Sequence, residues 1–270
     1  MRKLPSDFEL AIPALMPHGF LVQLARRSRL LLCLDYDGTL SDITPDPSLA
    51  FPVDGIRESL TRLVDASNHL TIAIVTGRTI AQGRQLLGVS DGLIFSGLHG
   101  LEMLQQGRIR VAPEAAVAAS ELDLVRRWIA RNVPGSQGFQ VEDKRFAVGV
   151  HYRCADPLIA SAIADSFVQF VAASAPALKV MRLKMLVEAI PRVASKANAV
   201  AAMRRTAKQP CVTVFIGDDT TDEEALAALG DGDVGVLVGR ARPSRACYRV
   251  PSPTAVAAEL RALAEYFEHA

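Results

Sequence analysis

Four short stretches hold the side chains best able to do chemistry. In Asp35-Tyr36-Asp37-Gly38-Thr39-Leu40, two carboxylates stand two residues apart beside a glycine that permits a tight turn. One carboxylate can attack as a nucleophile while the other holds or gives a proton at a leaving group. An Asx turn with a helix cap produces the same string without chemistry. In Thr76-Gly77-Arg78, a hydroxyl and backbone N–H groups at a strand-to-helix turn can form an anion site, and a capping threonine produces the same string. Lys196 opens a helical pattern at Ser195–Thr206, where the helix dipole disfavours a cation unless an anion faces it, although by itself a solvated surface lysine explains the position as well. In Gly217-Asp218-Asp219-Thr220-Thr221-Asp222-Glu223, four carboxylates crowd six positions. A hard cation such as Mg²⁺ relieves that repulsion. For Asp222 and Glu223, an acidic helix start is explanation enough.

The elements that must position these residues are short apolar runs. Leu30–Leu34, Thr71–Val75, Leu93–Ser96, Val212–Ile216 and Val234–Val238 have the continuous hydrophobicity of parallel strands buried on both faces. Three of the four chemical stretches follow such runs directly, where open parallel sheets present ligands. Helical patterns alternate with the strands. One follows a capping Asp54 with Ile56, Leu60, Leu63 and Val64 on one face, and another follows Thr254 with Val256, Leu260, Leu263 and Phe267. The pattern predicts an α/β fold, a doubly wound and mostly parallel Rossmann-like sheet.

The middle of the chain changes character. Helical Ala115–Arg131 and Pro157–Ser174 interleave with strand pairs at 139–143 and 145–153, then at 178–182 and 185–190. That order predicts an inserted α+β lobe. The division expected is a helical N-terminal extension over 1–28, a core over 29–104 and 191–270, and the insert over 105–190.

With 270 residues, half of them hydrophobic, the chain has a substantial core and room for two lobes. Thirty Lys and Arg balance 29 Asp and Glu, a net charge of +1. Such balance offers no global attraction to nucleic acid or an anionic membrane, and neither is expected as a partner. No apolar run reaches the roughly 18 residues of a membrane span, and the first residues do not form a signal peptide. Cys33, Cys154, Cys211 and Cys247 are too scattered for a metal or disulfide framework and read as reduced. A cytoplasmic protein is the expectation.

The four stretches in this order resemble the haloacid dehalogenase superfamily of phosphatases. Further strings are similar to its trehalose-6-phosphate phosphatase family: Ser96-Gly97-Leu98-His99-Gly100-Leu101-Glu102, Val141-Glu142-Asp143-Lys144 with His151-Tyr152-Arg153, Glu188 before Pro191 and Lys196, and the acidic string at 217–223. The resemblance spans residues 30 to 229. It implies a superfamily core with the insert as a specificity cap, and Mg²⁺-dependent hydrolysis of a small phosphosugar. Asp35 would be the nucleophile that becomes an aspartyl-phosphate, and Asp37 the general acid and then base. Thr76 and Lys196 would orient the phosphate, with Gly77 and Arg78 also at the substrate. Asp35, the Asp37 carbonyl and Asp218 would hold the metal, supported by Asp219 and Asp222. Glu142, Lys144, Glu188 and Arg153 would bind the sugar, with His151 close by. Cap closure would exclude water.

Three positions depart from the family pattern: Ile190 replaces a basic residue, and Val193 and Ala197 replace glycines. They keep open a phosphatase for sucrose phosphate or a glucosylglycerol-type phosphate. Strand-end carboxylates with Thr and Lys also build phospho-acceptor signalling domains, against which the insert and the second Asp of the first stretch argue. His99 reads as orienting backbone, His18, His69 and His269 as surface, and Trp128 as core.

Overall fold

The computed structural model describes residues 10–65, 69–89, 91–206 and 210–270. In chain order its elements are β1 (Ala14–Leu15), α1 (Phe20–Ala25), β2 (Leu30–Leu34), α2 (Ile56–Val64), β3 (Leu70–Val75), α3 (Ile80–Leu87), β4 (Ile94–Gly97), β5 (Glu102–Gln105) and β6 (Arg108–Val111). Next come α4 (Pro113–Val117), α5 (Ala119–Asn132), β7 (Gln140–Asp143), β8 (Val148–His151), α6 (Pro157–Ser174), β9 (Leu178–Leu183) and β10 (Leu186–Pro191). The chain finishes with α7 (Lys196–Thr206), β11 (Val212–Gly217), α8 (Asp222–Ala227), β12 (Val234–Val238), β13 (Tyr248–Val250) and α9 (Pro253–His269). Two compact units result, one of 1–110 with 195–270 and one of 111–194.

The larger unit is built on a sheet ordered β1-β13-β12-β11-β2-β3-β4-β5-β6. The pairs from β1 to β4 are parallel, and β4 with β5 is antiparallel. Strand order reverses between β2 and β11, the switch point where such sheets open a crevice beyond their carboxyl ends. All five residues of β2 are buried, as its unbroken apolar run requires. Leu32, Leu34, Ile72 and Ile74 pack on one side with Leu60, Leu63, Leu260 and Leu263 of α2 and α9. Leu31, Cys33, Ala73 and Val75 pack on the other with Val200 and Met203 of α7.

The hairpin of β5 and β6 extends this sheet, so the middle unit begins later than the change of pattern at 105 suggests. The N-terminal stretch contributes α1, whose Leu21 is fully buried, and β1, which pairs parallel with β13. Residues 1–9 lie outside the described residues. Two caps differ from expectation. Gly55, at φ 86°, starts α2 in place of Asp54, with no side-chain cap. Ser252 starts α9 in place of Thr254, because Pro253 has its φ preset for the first helical position.

The smaller unit is an antiparallel sheet ordered β7-β8-β10-β9. Val148, Val150, Val187 and Ala189 share a core with Leu122, Val125 and Ile129 of α5 and Phe167 and Val171 of α6. The helix expected at 115–131 is broken at Ala118 into α4 and α5. Helix α6 is long and apolar enough to cross a membrane, by length and composition alone. Here Ala160, Ala164, Phe167 and Val171 bury one stripe of it in the unit's core. Trp128 packs on the same core and stacks on Phe170 at 5.5 Å.

Candidate active site

Asp35 immediately follows β2, and its N–H donates to Ile216 O of β11 at 2.9 Å. The nucleophile candidate is thus locked to the strand that delivers Asp218. Lys196, first residue of α7, is buried and reaches both sides of the crevice. Its Nζ lies 2.7 Å from Asp35 Oδ1 and 2.6 Å from Asp222 Oδ1. Ser195 caps α7, its Oγ accepting from the Ala197 N–H at 3.1 Å. The helix start therefore keeps its polar partner while the lysine turns inward. Burial works against the Lys196 charge, but Asp222 and Asp35 outweigh it and hold the ammonium above its ordinary range. Burial also pushes the Asp35 carboxyl well above the usual carboxylate range, and Asp222 adds to this while Lys196 pulls back.

Asp35, Asp218 and Asp222 can each place a carboxylate oxygen within 4.8 Å of the others. Three carboxylates against one ammonium leave net negative charge in a largely buried site, which a divalent cation would neutralise. Gly38, at φ 79°, makes the cluster possible: a Cβ there would collide with the Asp218 carboxylate. Asp222 is more deeply committed than its place in an acidic helix start suggests. It is 1% exposed, and its second oxygen accepts the Asp219 N–H at 2.9 Å. Asp219 turns its own carboxylate to the Thr220 N–H at 2.7 Å.

The Asp37 carboxylate is not in that cluster. Arg78 takes it with a two-bond fork, Nε to Oδ2 at 2.7 Å and the terminal nitrogen to Oδ1 at 2.6 Å. That pairing was not legible in the spacing, since the partners are 41 residues apart. Thr76 is buried at the end of β3, and its Oγ1 accepts the Arg78 N–H at 3.1 Å. Gly77 is squeezed from the next loop, because a Cβ there would meet the His99 ring at 2.5 Å. Leu98 and His99 are both left-handed, at φ 49° and 52°. Their N–H groups brace the loop, Leu98 to Arg78 O at 2.8 Å and His99 to Thr76 O at 3.0 Å. Strain in such residues concentrates at functional sites.

Behind Asp218 stands a support absent from the sequence reading. Arg242 donates to Asp218 O at 3.2 Å and to Glu223 at 2.9 Å. Glu223 also accepts from Ser244 Oγ and the Arg245 N–H. Sequence distance hid it, and no motif marks Arg242.

In the smaller unit, Glu142 on β7, Gly149 on β8 and Glu188 on β10 form one cross-strand row. Lys144 joins its two acids, with Nζ 2.8 Å from Glu188 and 3.3 Å from Glu142. His151 Nε2 lies 3.0 Å from Glu142. Glu188 is fully buried, and its Oε2 has no hydrogen-bond partner among the described residues. Burial opposes the Lys144 charge, but Glu188 and Glu142 prevail and raise its pKa. Arg153 does not share the strand with His151. Strand β8 ends at His151, and Arg153 sits exposed in the following turn. Ile190 is buried at the end of β10. Val193 and Ala197 both have φ outside the left-handed region, so neither strains the link to α7.

A parallel sheet with carboxylates at the switch point, a threonine after β3, a lysine opening α7 and a second unit inserted before that lysine has the arrangement of the haloacid dehalogenase fold. The trehalose-phosphatase family matches residues 33–254, and the chain belongs to that family. It is 30% identical over 257 residues to probable trehalose-phosphate phosphatase 4 of Oryza sativa subsp. japonica, covering 90% of this chain and 68% of that one. It is 29% identical over 271 residues to trehalose-phosphate phosphatase B of Arabidopsis thaliana, covering 91% and 69%. The C-terminal domain of Candida albicans trehalose-6-phosphate phosphatase has a similar structure, with a TM-score of 0.82 and 25% identity. The match covers 94% of this chain and 99% of that domain.

Proposed function

We propose that this enzyme hydrolyses trehalose 6-phosphate to trehalose and phosphate, using Mg²⁺ and an aspartyl-phosphate on Asp35. The observation that carries the reading is the Lys196 ammonium bridging Asp35 and Asp222 beside Asp218 at the switch point. Asp35 attacks phosphorus, the phosphorus–oxygen bond to the sugar breaks, and Asp37 gives its proton to the departing sugar oxygen. Asp37 then takes a proton from the water that attacks the acyl phosphate, which releases phosphate and restores Asp35. Thr76 and Lys196 orient the phosphoryl group, and Lys196 offsets its charge. Asp35, Asp218 and the Asp37 carbonyl would hold Mg²⁺, with Asp219 and Asp222 in support. When bound, the ion supplies the charge neutralisation that lets an anionic nucleophile approach an anionic ester. Glu142, Lys144 and Glu188 supply acceptors and a donor suited to sugar hydroxyls. The four free cysteines suit a cytoplasmic setting.

The test is phosphate release from a panel of trehalose 6-phosphate, sucrose phosphate and glucosylglycerol phosphate, with and without Mg²⁺. Multiple Mg²⁺-dependent turnovers with highest kcat/KM on trehalose 6-phosphate are expected. A preference for another sugar phosphate would overturn the substrate, and a single stoichiometric burst would overturn turnover itself.

A further inference from the structure

The Asp37 carboxylate belongs to the reaction as proposed, yet nothing in the reaction scheme accounts for what holds it. Its side chain is 37% exposed, and both its oxygens are engaged by one guanidinium that is itself only 12% exposed. A planar fork on two carboxylate oxygens fixes the plane of the carboxylate as well as its position, which a single ammonium cannot do. Arg78 is in turn held from several sides. Its Cζ lies 5.5 Å from the centroid of the Tyr36 ring, and Tyr36 is anchored by its hydroxyl to Ala50 O at 2.9 Å. Its backbone N–H bonds Thr76 Oγ1, and its carbonyl accepts the Leu98 N–H from the left-handed turn. The chain thus fixes the arginine first and the acid through it.

We infer that Arg78 is a positioning residue that aims Asp37 at the leaving oxygen, and that it does not hold the substrate's phosphoryl group. This rests on the reading of Asp37 as general acid and base. The Nε edge of Arg78 is already occupied by Asp37, whereas the Lys196 ammonium stands at Asp35 itself. A carboxylate offers about four acceptor sites. The fork uses two of them, so a lone pair remains on each Asp37 oxygen to take the proton of the attacking water, and the protonated acid can then give it to the sugar oxygen of the next turnover. General acid–base catalysis requires that exchange within hydrogen-bond reach, so aim decides its yield.

The leaving group separates aim from phosphate binding. An alkoxide departs only with a proton, whereas 4-nitrophenolate departs without one. Arg78→Ala and Arg78→Lys are compared with wild type by single-turnover formation of phosphoenzyme from a sugar phosphate and from 4-nitrophenyl phosphate, by inhibition with inorganic phosphate, and by rescue with guanidinium. Arg78→Ala is expected to lose on the order of 10²-fold on the sugar phosphate. On the aryl phosphate it should lose only a few-fold, with phosphate inhibition unchanged. Guanidinium should recover at least about tenfold on the sugar phosphate alone, and Arg78→Lys, lacking the fork, should remain impaired. Equal losses on both substrates would overturn the inference, as would weakened phosphate inhibition. A folded Arg78→Ala that guanidinium does not rescue would overturn it too. The wild-type panel decides the substrate separately, and any sugar phosphate it selects serves in this comparison.

Discussion

Each unit buries a lysine between two carboxylates, and the two clusters are built for different ends. Lys196 joins Asp35, just past the end of β2, and Asp222, at the start of α8, short side chains fixed by backbone hydrogen bonds. Lys144 joins Glu142 and Glu188, longer side chains standing on the face of a sheet. A third carboxylate, Asp218, leaves the first cluster in charge excess that a cation must settle. In the second, His151 approaches Glu142 and offers polar groups of both kinds. Strand ends suit charge held still for bond making, while a sheet face suits a pattern of donors and acceptors that a sugar can match.

Several experiments would break or sharpen that contrast. Asp35→Asn should abolish turnover on every substrate, a loss on the order of 10⁴–10⁶-fold in kcat, with circular dichroism unchanged. Residual activity near wild type would remove the aspartyl-phosphate. Chelation should stop turnover, and added Mg²⁺ should raise the Tm of wild type but not of Asp218→Asn. An equal rise in both would move the metal elsewhere.

Lys144→Ala leaves Glu188 buried without its ammonium and should cost about 3–5 kcal/mol in urea unfolding. Replacing both residues with apolar ones should recover most of that, which would show the pair is not kept for stability. Glu142→Ala should lower kcat/KM for trehalose 6-phosphate roughly 10- to 150-fold, the range of one charged hydrogen bond, and spare an aryl phosphate. Equal losses on both would take Glu142 out of sugar recognition.

The smallest effect concerns acid. The Arg126 hydrogen bonds hold the Asp143 carboxyl below its usual 3.8. A lowered folded-state pKa stabilises above the unfolded value, and the gain fades as pH falls through the folded one. Asp143→Asn should therefore flatten the loss of stability below about pH 4, measured by thermal unfolding across pH.

The contrast also explains what could be read in the sequence. Strand β2 and the aspartate after it were legible because a buried parallel strand must be continuously apolar and its ligand groups must follow at once. Strand β12 and helix α6 were legible on the same grounds of unbroken hydrophobicity and length. Asp37 with Arg78, Asp222 with Lys196, and Arg242 with Asp218 were not, because such partnerships depend on which loops the fold sets side by side. Arg153 was placed on a strand by alternation, but β8 stops at His151 and the chain turns. Met185 and Arg145, both at positive φ, make turns that no glycine announces. Asp54 and Thr254 lost their capping places to neighbours, within the usual uncertainty of helix ends.

The pairing of β2 with β11 carries a last consequence, for the order in which the molecule is made. Residues 30–34 align with 212–216, and the bond from Asp35 to Ile216 closes the same ladder. The two halves of the crevice are thus joined across roughly 180 residues, a contact of high loop-closure cost. Contacts of that span slow folding. During refolding, helices and hairpins should regain their signals first, and phosphatase activity should return only when the central strands meet.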